Sequence, residues 1–289
     1  MQFTIVRRSF FILSLLIATV GSVRSQESSL LWRVSGNGIT QDSYIFGTTH
    51  VICKEDFLMD ERILKAFERS DQLVLELDMG DPELQIKIHE LSRNPGMKNI
   101  QSELRPEDAA ILDSFLIQNY GAGLDQLGTL KPMVLSSMVL MRTVSCEEIE
   151  SYEGFFSTKA IESEKSVTGL ETPEYQFDIF DQIPVETQLS ELVKLVKEDT
   201  GFNDFETLTE AYLREDIEEL YKMMSFEGMM KDYLELILDN RNKSWIPVLE
   251  REMKSKKLFV AVGAGHLGGE NGLISLLRKQ GYKVDPVKK

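Results

Sequence analysis

The chain has 289 residues, 42% of them hydrophobic and 27% charged, with 47 Asp and Glu against 32 Lys and Arg and a net charge of −15. This is the make-up of a folded globular protein, not of a disordered or collagen-like chain, and its acidity excludes a nucleic-acid binder, which needs a basic face for phosphates. Two cysteines exclude a disulfide scaffold and a four-cysteine zinc site, and three histidines mean that any metal site must borrow carboxylates or water.

Residues 1–25 read as a secretory signal. Arg7 and Arg8 precede a mostly apolar run from Phe10 to Val20, and small residues lead to Val23-Arg24-Ser25 ahead of Gln26, an acceptable cleavage site. The run is shorter than the roughly 20 residues of a bilayer span; an uncleaved anchor is the alternative. The expected location is periplasmic or secreted, with no membrane association after cleavage. Cleavage removes three arginines and no acid, leaving a still more acidic chain that repels anionic membranes. Export permits a Cys53–Cys146 disulfide; two free thiols are the other reading, and spacing does not decide between them.

Leu30–Val34 and Tyr44–Phe46 read as strands separated by the turn residues Gly36-Asn37-Gly38. Phe57, Ile63, Leu64 and Phe67 recur at helical spacing over 57–69. Leu73-Val74-Leu75-Glu76-Leu77, bounded by Asp71 and by Gly80-Asp81-Pro82, has the pattern of a buried strand. About 82–165 reads as a helical insertion. His89 lies there on a polar helix and is expected to face solvent, and helices open at Pro106-Glu107-Asp108 and at Lys131-Pro132. Val167-Thr168-Gly169-Leu170 is a short strand ending at Glu171, and Thr172-Pro173-Glu174 opens the next helix. Further helices fill 185–250, the last over 228–250 with Met230, Leu234, Ile237, Trp245 and Val248 on one stripe. Leu258–Val262 is a buried strand running into Gly263-Ala264-Gly265-His266, followed by a helix over about 270–280 and a last strand near Val284. The expected fold is α/β, a central mixed sheet flanked by helices with a large helical insertion, in one domain over 26–289.

Chemistry-capable residues fall at the ends of these strands. Gly47-Thr48-Thr49-His50 follows one, Glu76 lies near the end of another with Asp78 on the same face, Glu171 ends a third, and Gly263-Ala264-Gly265-His266 follows a fourth. Ligand sites in α/β sheets gather at the carboxyl ends of strands, so His, Glu, Glu and His are offered to one rim. Glycine lets the chain leave a strand sharply, through positive φ or close backbone approach. Two neutral imidazoles with one or two carboxylates suit zinc, manganese or cobalt. Such an ion lowers the pKa of its water towards about 7 and polarises a carbonyl. His50, His266 and Glu76 are the metal-ligand candidates; Glu76, Glu171 and Arg241 are the catalytic ones. Each has a plainer reading: a histidine in a surface loop, a strand glutamate meeting a structural arginine, an acid opening a helix at Glu171, a turn residue at Asp78. Arg241, four residues from both Ile237 and Trp245, faces the apolar stripe, and a buried guanidinium demands an anion. That anion is Glu76, Glu171 or a substrate group, and a purely structural salt bridge accounts for the pattern equally well. Asn240 and Asn242 flank it.

The ordered set of motifs resembles the TraB/PrgY/GumN family. Leu31-Trp32-Arg33-Val34-Ser35-Gly36-Asn37-Gly38, Ser43-Tyr44-Ile45-Phe46-Gly47-Thr48-Thr49-His50 and Ser70 to Asp78 match its opening signature. Gly169-Leu170-Glu171-Thr172 matches its middle motif, Asn240-Arg241-Asn242 its late helical motif, and Val262 to Leu267 with Gly272-Leu273 its closing signature. The resemblance implies kinship with the metal-dependent Tiki proteases of animals and, more distantly, with erythromycin-esterase-like and haem-binding ChaN-like proteins. By position it makes His50, Glu76 and His266 the metal and catalytic residues, supported by Glu171 and Arg241. One departure stands out: family members carry an acid two positions after the glycine of the segment matching Glu153-Gly154-Phe155-Phe156, where this chain has Phe156. Cys53, three residues after His50, is also unusual, and a buried thiol is the simpler reading of it than a soft ligand. The expectation is an exported metal-dependent hydrolase acting on a peptide or protein. A non-catalytic protein that sequesters a peptide, haem or metal is the alternative.

Overall fold

The computed structural model describes residues 28–289 other than 143, 145, 199, 200 and 227, and the side chains of 201–204, 226, 228 and 230 lie outside that description. The expected signal segment and the side chain of Met230 therefore fall outside the described residues. Strands β1 (Leu31–Ser35), β2 (Ser43–Thr48), β3 (Ile52–Cys53), β4 (Gln72–Leu77), β5 (Ile149–Glu150), β6 (Ser166–Glu171), β7 (Leu258–Gly263) and β8 (Lys283–Pro286) alternate with helices. Six of them form a mixed sheet in the order β6-β4-β7-β2-β1-β8. The neighbours β6, β4, β7 and β2 run parallel, while β1 lies antiparallel between β2 and β8. This is the α/β architecture expected from the sequence.

Strand composition follows position in the sheet. Leu258 to Val262 of β7, in the middle of the parallel set, are all buried, as are Leu73, Val74 and Leu75 of β4. Strands covered on both faces read as unbroken apolar runs. The helix Glu61–Glu68 starts at Asp60, whose carboxylate accepts the Arg62 and Ile63 amides, and Tyr152–Glu162 starts at Ser151. These two helices bring Phe67 and Phe156 onto Phe259 of the sheet, with ring centroids 5.6 and 4.7 Å away. Helices Asn240–Met253 and Leu273–Lys279 add Trp245, Leu249, Leu273 and Leu277 to the same core.

The inserted helices divide between two cores. Tyr152, Phe156 and Ala160 belong to the sheet core. Leu112, Leu116, Leu124, Leu135 and Val139 instead form a separate cluster with Leu189 and Leu192 of the later helix Val185–Glu198. His89 is exposed, as expected from its polar helix.

Two features differ from the sequence reading. The continuous helix expected over 228–250 is three pieces: Gly228–Asp232, a π turn over Glu235–Asp239, and Asn240–Met253. Single π turns of this kind concentrate at functional sites, and here the Ile237 carbonyl accepts a hydrogen bond from the Arg241 side chain at 3.2 Å. The short antiparallel pair β3–β5, too brief for periodicity to reveal, is stapled by a Cys53–Cys146 disulfide with Cα atoms 5.8 Å apart. Among the described residues no helix is long and apolar enough to cross a membrane.

Candidate functional site

Because β6, β4, β7 and β2 are parallel neighbours, their carboxyl ends open on one edge of the sheet. Glu171 ends β6, Glu76 lies one residue before the end of β4, and the turns after β7 and β2 carry His266 and His50. Neither Gly47 nor Gly263 uses positive φ, so the expected role of glycine reduces to close approach. A Cβ on Gly47 would lie 3.1 Å from the backbone of Ala264 and from Leu267, tighter than packed side chains normally allow.

Arg241 is the hub. Its Nε donates to Glu171 Oε1 at 2.9 Å, and its Nη2 donates to Glu171 Oε2 at 2.8 Å and to Glu76 Oε2 at 2.6 Å. The first two form the bidentate fork that guanidinium makes with carboxylate. Glu171 is almost wholly enclosed, its side chain 1% exposed, and it also accepts the Trp245 indole N–H at 2.9 Å and the Gln176 amide at 2.9 Å. Thr172 caps the helix Pro173–Asp181, which turns Gln176 back over both carboxylates. Glu76 Oε1 accepts the Gly263 amide at 2.9 Å.

His266 is buried between Trp245, whose ring centroid lies 4.5 Å from its own, and Asn242. Asn242 donates its amide to the Asn271 carbonyl at 2.9 Å, which leaves its oxygen for His266 Nδ1 at 2.6 Å. Nδ1 therefore carries the proton, and Nε2 presents a lone pair, 3.2 Å from Arg241 Nη1 and 3.8 Å from Glu76 Oε1. Burial, with the charges of Arg241 and His50, outweighs the opposing Glu76 carboxylate and pushes the imidazole down to about 3, so the ring is neutral. Glu76 goes the same way, to about 2. Burial opposes its ionisation, but His266, Arg241, His50 and the Gly263 amide outweigh it. With His266 neutral, the guanidinium and the amide are the groups that hold this carboxylate charged.

His50 sits at the mouth, its side chain 77% exposed. Its Nδ1 lies 3.5 Å from Glu153 Oε1, and Glu153 also accepts the Thr48 and Ser151 hydroxyls at 2.9 and 3.0 Å. The Glu153 contact raises His50 to about 9 against the opposing effect of burial, although solvent at so exposed a ring screens the pair. Phe156 is wholly buried in the aromatic core; the acid at the rim is Glu153, three residues earlier. Glu153 and Gln176 are the two participants the sequence reading did not single out. Glu153 shows only as an acid in the first turn after Ser151, and Gln176 carries no signal at all. Asp78 binds the Gly80 amide at 2.9 Å, a turn contact.

Among the described residues no three His, Cys, Asp or Glu side chains are arranged as they stand to hold a metal ion. Two donors do fit one. Metal–ligand bonds of about 2.0–2.2 Å let two donors to a common ion lie up to about 4 Å apart, which His266 Nε2 and Glu76 Oε1 satisfy at 3.8 Å. His50, the third expected ligand, pairs with Glu153 at the mouth instead.

Comparison with the curated proteins and with the solved structures finds no match. The model of the TraB/PrgY/gumN family, however, matches residues 30–286, from the first strand to the last and across every strand that feeds this edge; the chain belongs to the TraB/PrgY/gumN family.

Proposed function

We propose that the chain is a metal-dependent hydrolase whose substrate is a peptide or protein, with His266, Glu76 and His50 as the residues that hold the ion. The observation that carries this reading is a charge imbalance. Glu76 and Glu171 are two buried carboxylates sharing the single guanidinium of Arg241, and the group beside them is a neutral imidazole whose Nε2 accepts from Arg241 Nη1 at 3.2 Å and lies 3.8 Å from Glu76. One negative charge is left without a partner in a low-dielectric pocket, where an uncompensated charge is costly, and a cation at the His266–Glu76 gap would complete it. A divalent ion bound there supplies Lewis acidity and an acidified water.

The chain's own groups divide the remaining work. Glu76, kept ionised by Arg241 and the Gly263 amide, is a weak base and serves as ligand and fixed charge. Glu171, fully engaged by Arg241, Trp245 and Gln176, fixes the guanidinium. Asn242 keeps His266 in the tautomer that a metal needs. Glu153 favours the protonated form of His50, a proton that the ring must release to act as a ligand. The choice of a peptide substrate rests on the resemblance of the two glycine–histidine turns to those of Tiki proteases.

A second reading, a protein that binds without turnover, is favoured by the absence of a preformed three-ligand set among the described residues. Elemental analysis and peptide-library cleavage separate the two. The wild-type protein is expected to hold about one equivalent of divalent metal and to cleave, while His266→Ala, Glu76→Gln and His50→Ala lose both. Full metal content in all three variants would remove the assignment; stoichiometric capture of peptide or haemin without turnover would favour the binder.

A further inference from the structure

His266 is the end of a polar chain that runs away from the pocket. Asn242, wholly buried, accepts from His266 Nδ1 and donates to the Asn271 carbonyl. Asn271 in turn donates its side-chain amide to Asp239 Oδ2 at 2.8 Å. Asp239 closes the π turn and is 8% exposed, yet its Oδ1 has no hydrogen-bond partner. A buried carboxylate with one oxygen unsatisfied is an expensive thing to keep. Core packing does not account for it, because an apolar residue at 239 would remove the penalty; among the described residues its side chain accepts from Asn271.

We propose that Asp239 and Asn271 are positioning residues which, through Asn242, hold His266 as its Nδ1–H tautomer, with Nε2 turned towards Arg241 Nη1 and Glu76. The argument is one of direction. A carboxamide can present either its oxygen or its nitrogen to an imidazole. Only the first orientation makes Nδ1 the donor, and Asn242 is locked into it because its nitrogen must meet the Asn271 carbonyl. That carbonyl belongs to a glycine-rich loop, Gly268 to Gly272, in which Asp239 anchors residue 271 from the side chain. Asp239 sits two residues before Arg241 and three before Asn242, so the π turn that aims the guanidinium also places this anchor. The catalytic meaning of the relay rests on the hydrolase reading; the tautomer itself does not, and it is measured without metal or substrate.

The chain has three histidines, so 15N-histidine labelling of the full-length, EDTA-treated protein gives a spectrum in which each ring is assignable by His→Gln substitution. Wild type should show His266 with a protonated Nδ1 and a bare Nε2. Asp239→Ala and Asn271→Ala should each lower the ratio of the two tautomers about tenfold, the worth of one hydrogen bond, and Asn242→Ala at least as much. Asp239→Asn, which keeps an acceptor for Asn271, should restore the wild-type pattern. His50 and His89 should stay unmoved in every variant. Should Asp239→Ala fail to fold, Asn271→Ala decides. An Nε2–H tautomer in wild type, or an unchanged His266 in Asp239→Ala and Asn271→Ala, overturns the proposal. The hydrolase reading can fail in the metal assay while this result stands.

Discussion

Thr48 stands beside Gly263 in the parallel register of β2 and β7. Two residues beyond Thr48 and three beyond Gly263 the chain reaches His50 and His266, so the two histidine turns leave the sheet at neighbouring strand ends. The same logic pairs Leu77 with Glu171 across β4 and β6. Parallel strands in register deliver four polar side chains to one edge, and Arg241, from a helix packed over that edge, joins three of them.

Arg241 is therefore expected to matter to folding as much as to chemistry. Arg241→Ala leaves Glu76 and Glu171 as unpaired buried carboxylates, and removing one partner of a buried ion pair costs about 3–5 kcal/mol. Arg241→Lys should recover little, since an ammonium cannot reproduce the fork to Glu171 together with the bond to Glu76. Urea unfolding at neutral pH measures both. A loss under about 1 kcal/mol in Arg241→Ala, the range of surface pairs, would show that the carboxylates are not held charged by this group.

How much of this was legible follows from the physics of each residue. Strands β4 and β7 announce themselves because burial on both faces demands unbroken apolar residues, and Glu76 is conspicuous as an acid inside such a run. The glycine turns mark His50 and His266, though the structure uses their glycines for close approach rather than for positive φ. The spacing of Arg241 from Ile237 and Trp245 places it on an apolar face, but periodicity cannot say which anion it meets, and it meets two. Glu153 was hidden because its role depends on β3–β5 bringing residues about a hundred positions apart together, which no local pattern encodes. The π turn was hidden because its residues fit an ordinary helix as well.

Acid should lower the stability of the fold over two overlapping pH ranges. His266 has a folded pKa of about 3 against 6.5 when unexposed to the fold. Its folded value is lowered, so the unfolded state takes up the proton first, and stability falls as pH drops from about 6.5 towards 3. The slope for one proton is at most about 1.4 kcal/mol per pH unit. Glu76, lowered from 4.5 to about 2, contributes stability that is present above 4.5 and lost towards 2. His50 has the opposite sign: raised to about 9, it stabilises below 6.5 and loses that contribution as pH rises through 9, weakly because water screens it. Urea midpoints between pH 7 and pH 4.5 should fall in wild type and be flatter in His266→Gln. Parallel curves for the two would remove His266 as the group responsible.

Glu153→Gln isolates the rim pair. With the carboxylate gone, the His50 pKa should drop from about 9 towards the ordinary 6.5, read directly by NMR titration of the three histidines. If the hydrolase reading holds, metal affinity at neutral pH should not fall, because His50 ligates only after giving up the proton that Glu153 favours. A titration of His50 that does not move would mean that another acid holds its proton.

The disulfide ties the two halves of that rim. Cys53 follows His50 by three residues and Cys146 precedes Glu153 by seven, and the bond closes a span of 93 residues. Chain-entropy arguments put the stabilisation from so long a loop at about 4–5 kcal/mol, with measured values more often about 2–4. The double variant Cys53→Ser, Cys146→Ser should lose that much in urea unfolding. It should also lower the His50 pKa, because β3 and β5 then hold His50 near Glu153 only through their short ladder. Loss of stability with His50 unchanged would show that the ladder suffices.

Two glycines at the edge should respond to alanine to different degrees. A Cβ on Gly169 would fall 2.6 Å from the Asp78 backbone nitrogen, 2.9 Å from the Glu171 carbonyl oxygen and 3.0 Å from the Leu77 carbonyl carbon. These are backbone atoms that cannot swing aside, so β4 and β6 must part where they carry Glu76 and Glu171, at about 1–3 kcal/mol. A Cβ on Gly263 would meet Glu76 Oε1 at 3.4 Å and the His266 ring at 3.6 Å, ordinary contact distances, and Gly263→Ala should be nearly neutral for folding. The chain has two tryptophans, whose indole N–H groups report separately: Trp245 donates to Glu171, and Trp32 donates to the Ser29 carbonyl far along the sheet. Gly169→Ala should shift the Trp245 indole resonance and leave that of Trp32 in place. If both stay fixed while stability falls, the strain is taken up without moving Glu171, and the glycine of the middle motif serves the sheet rather than the site.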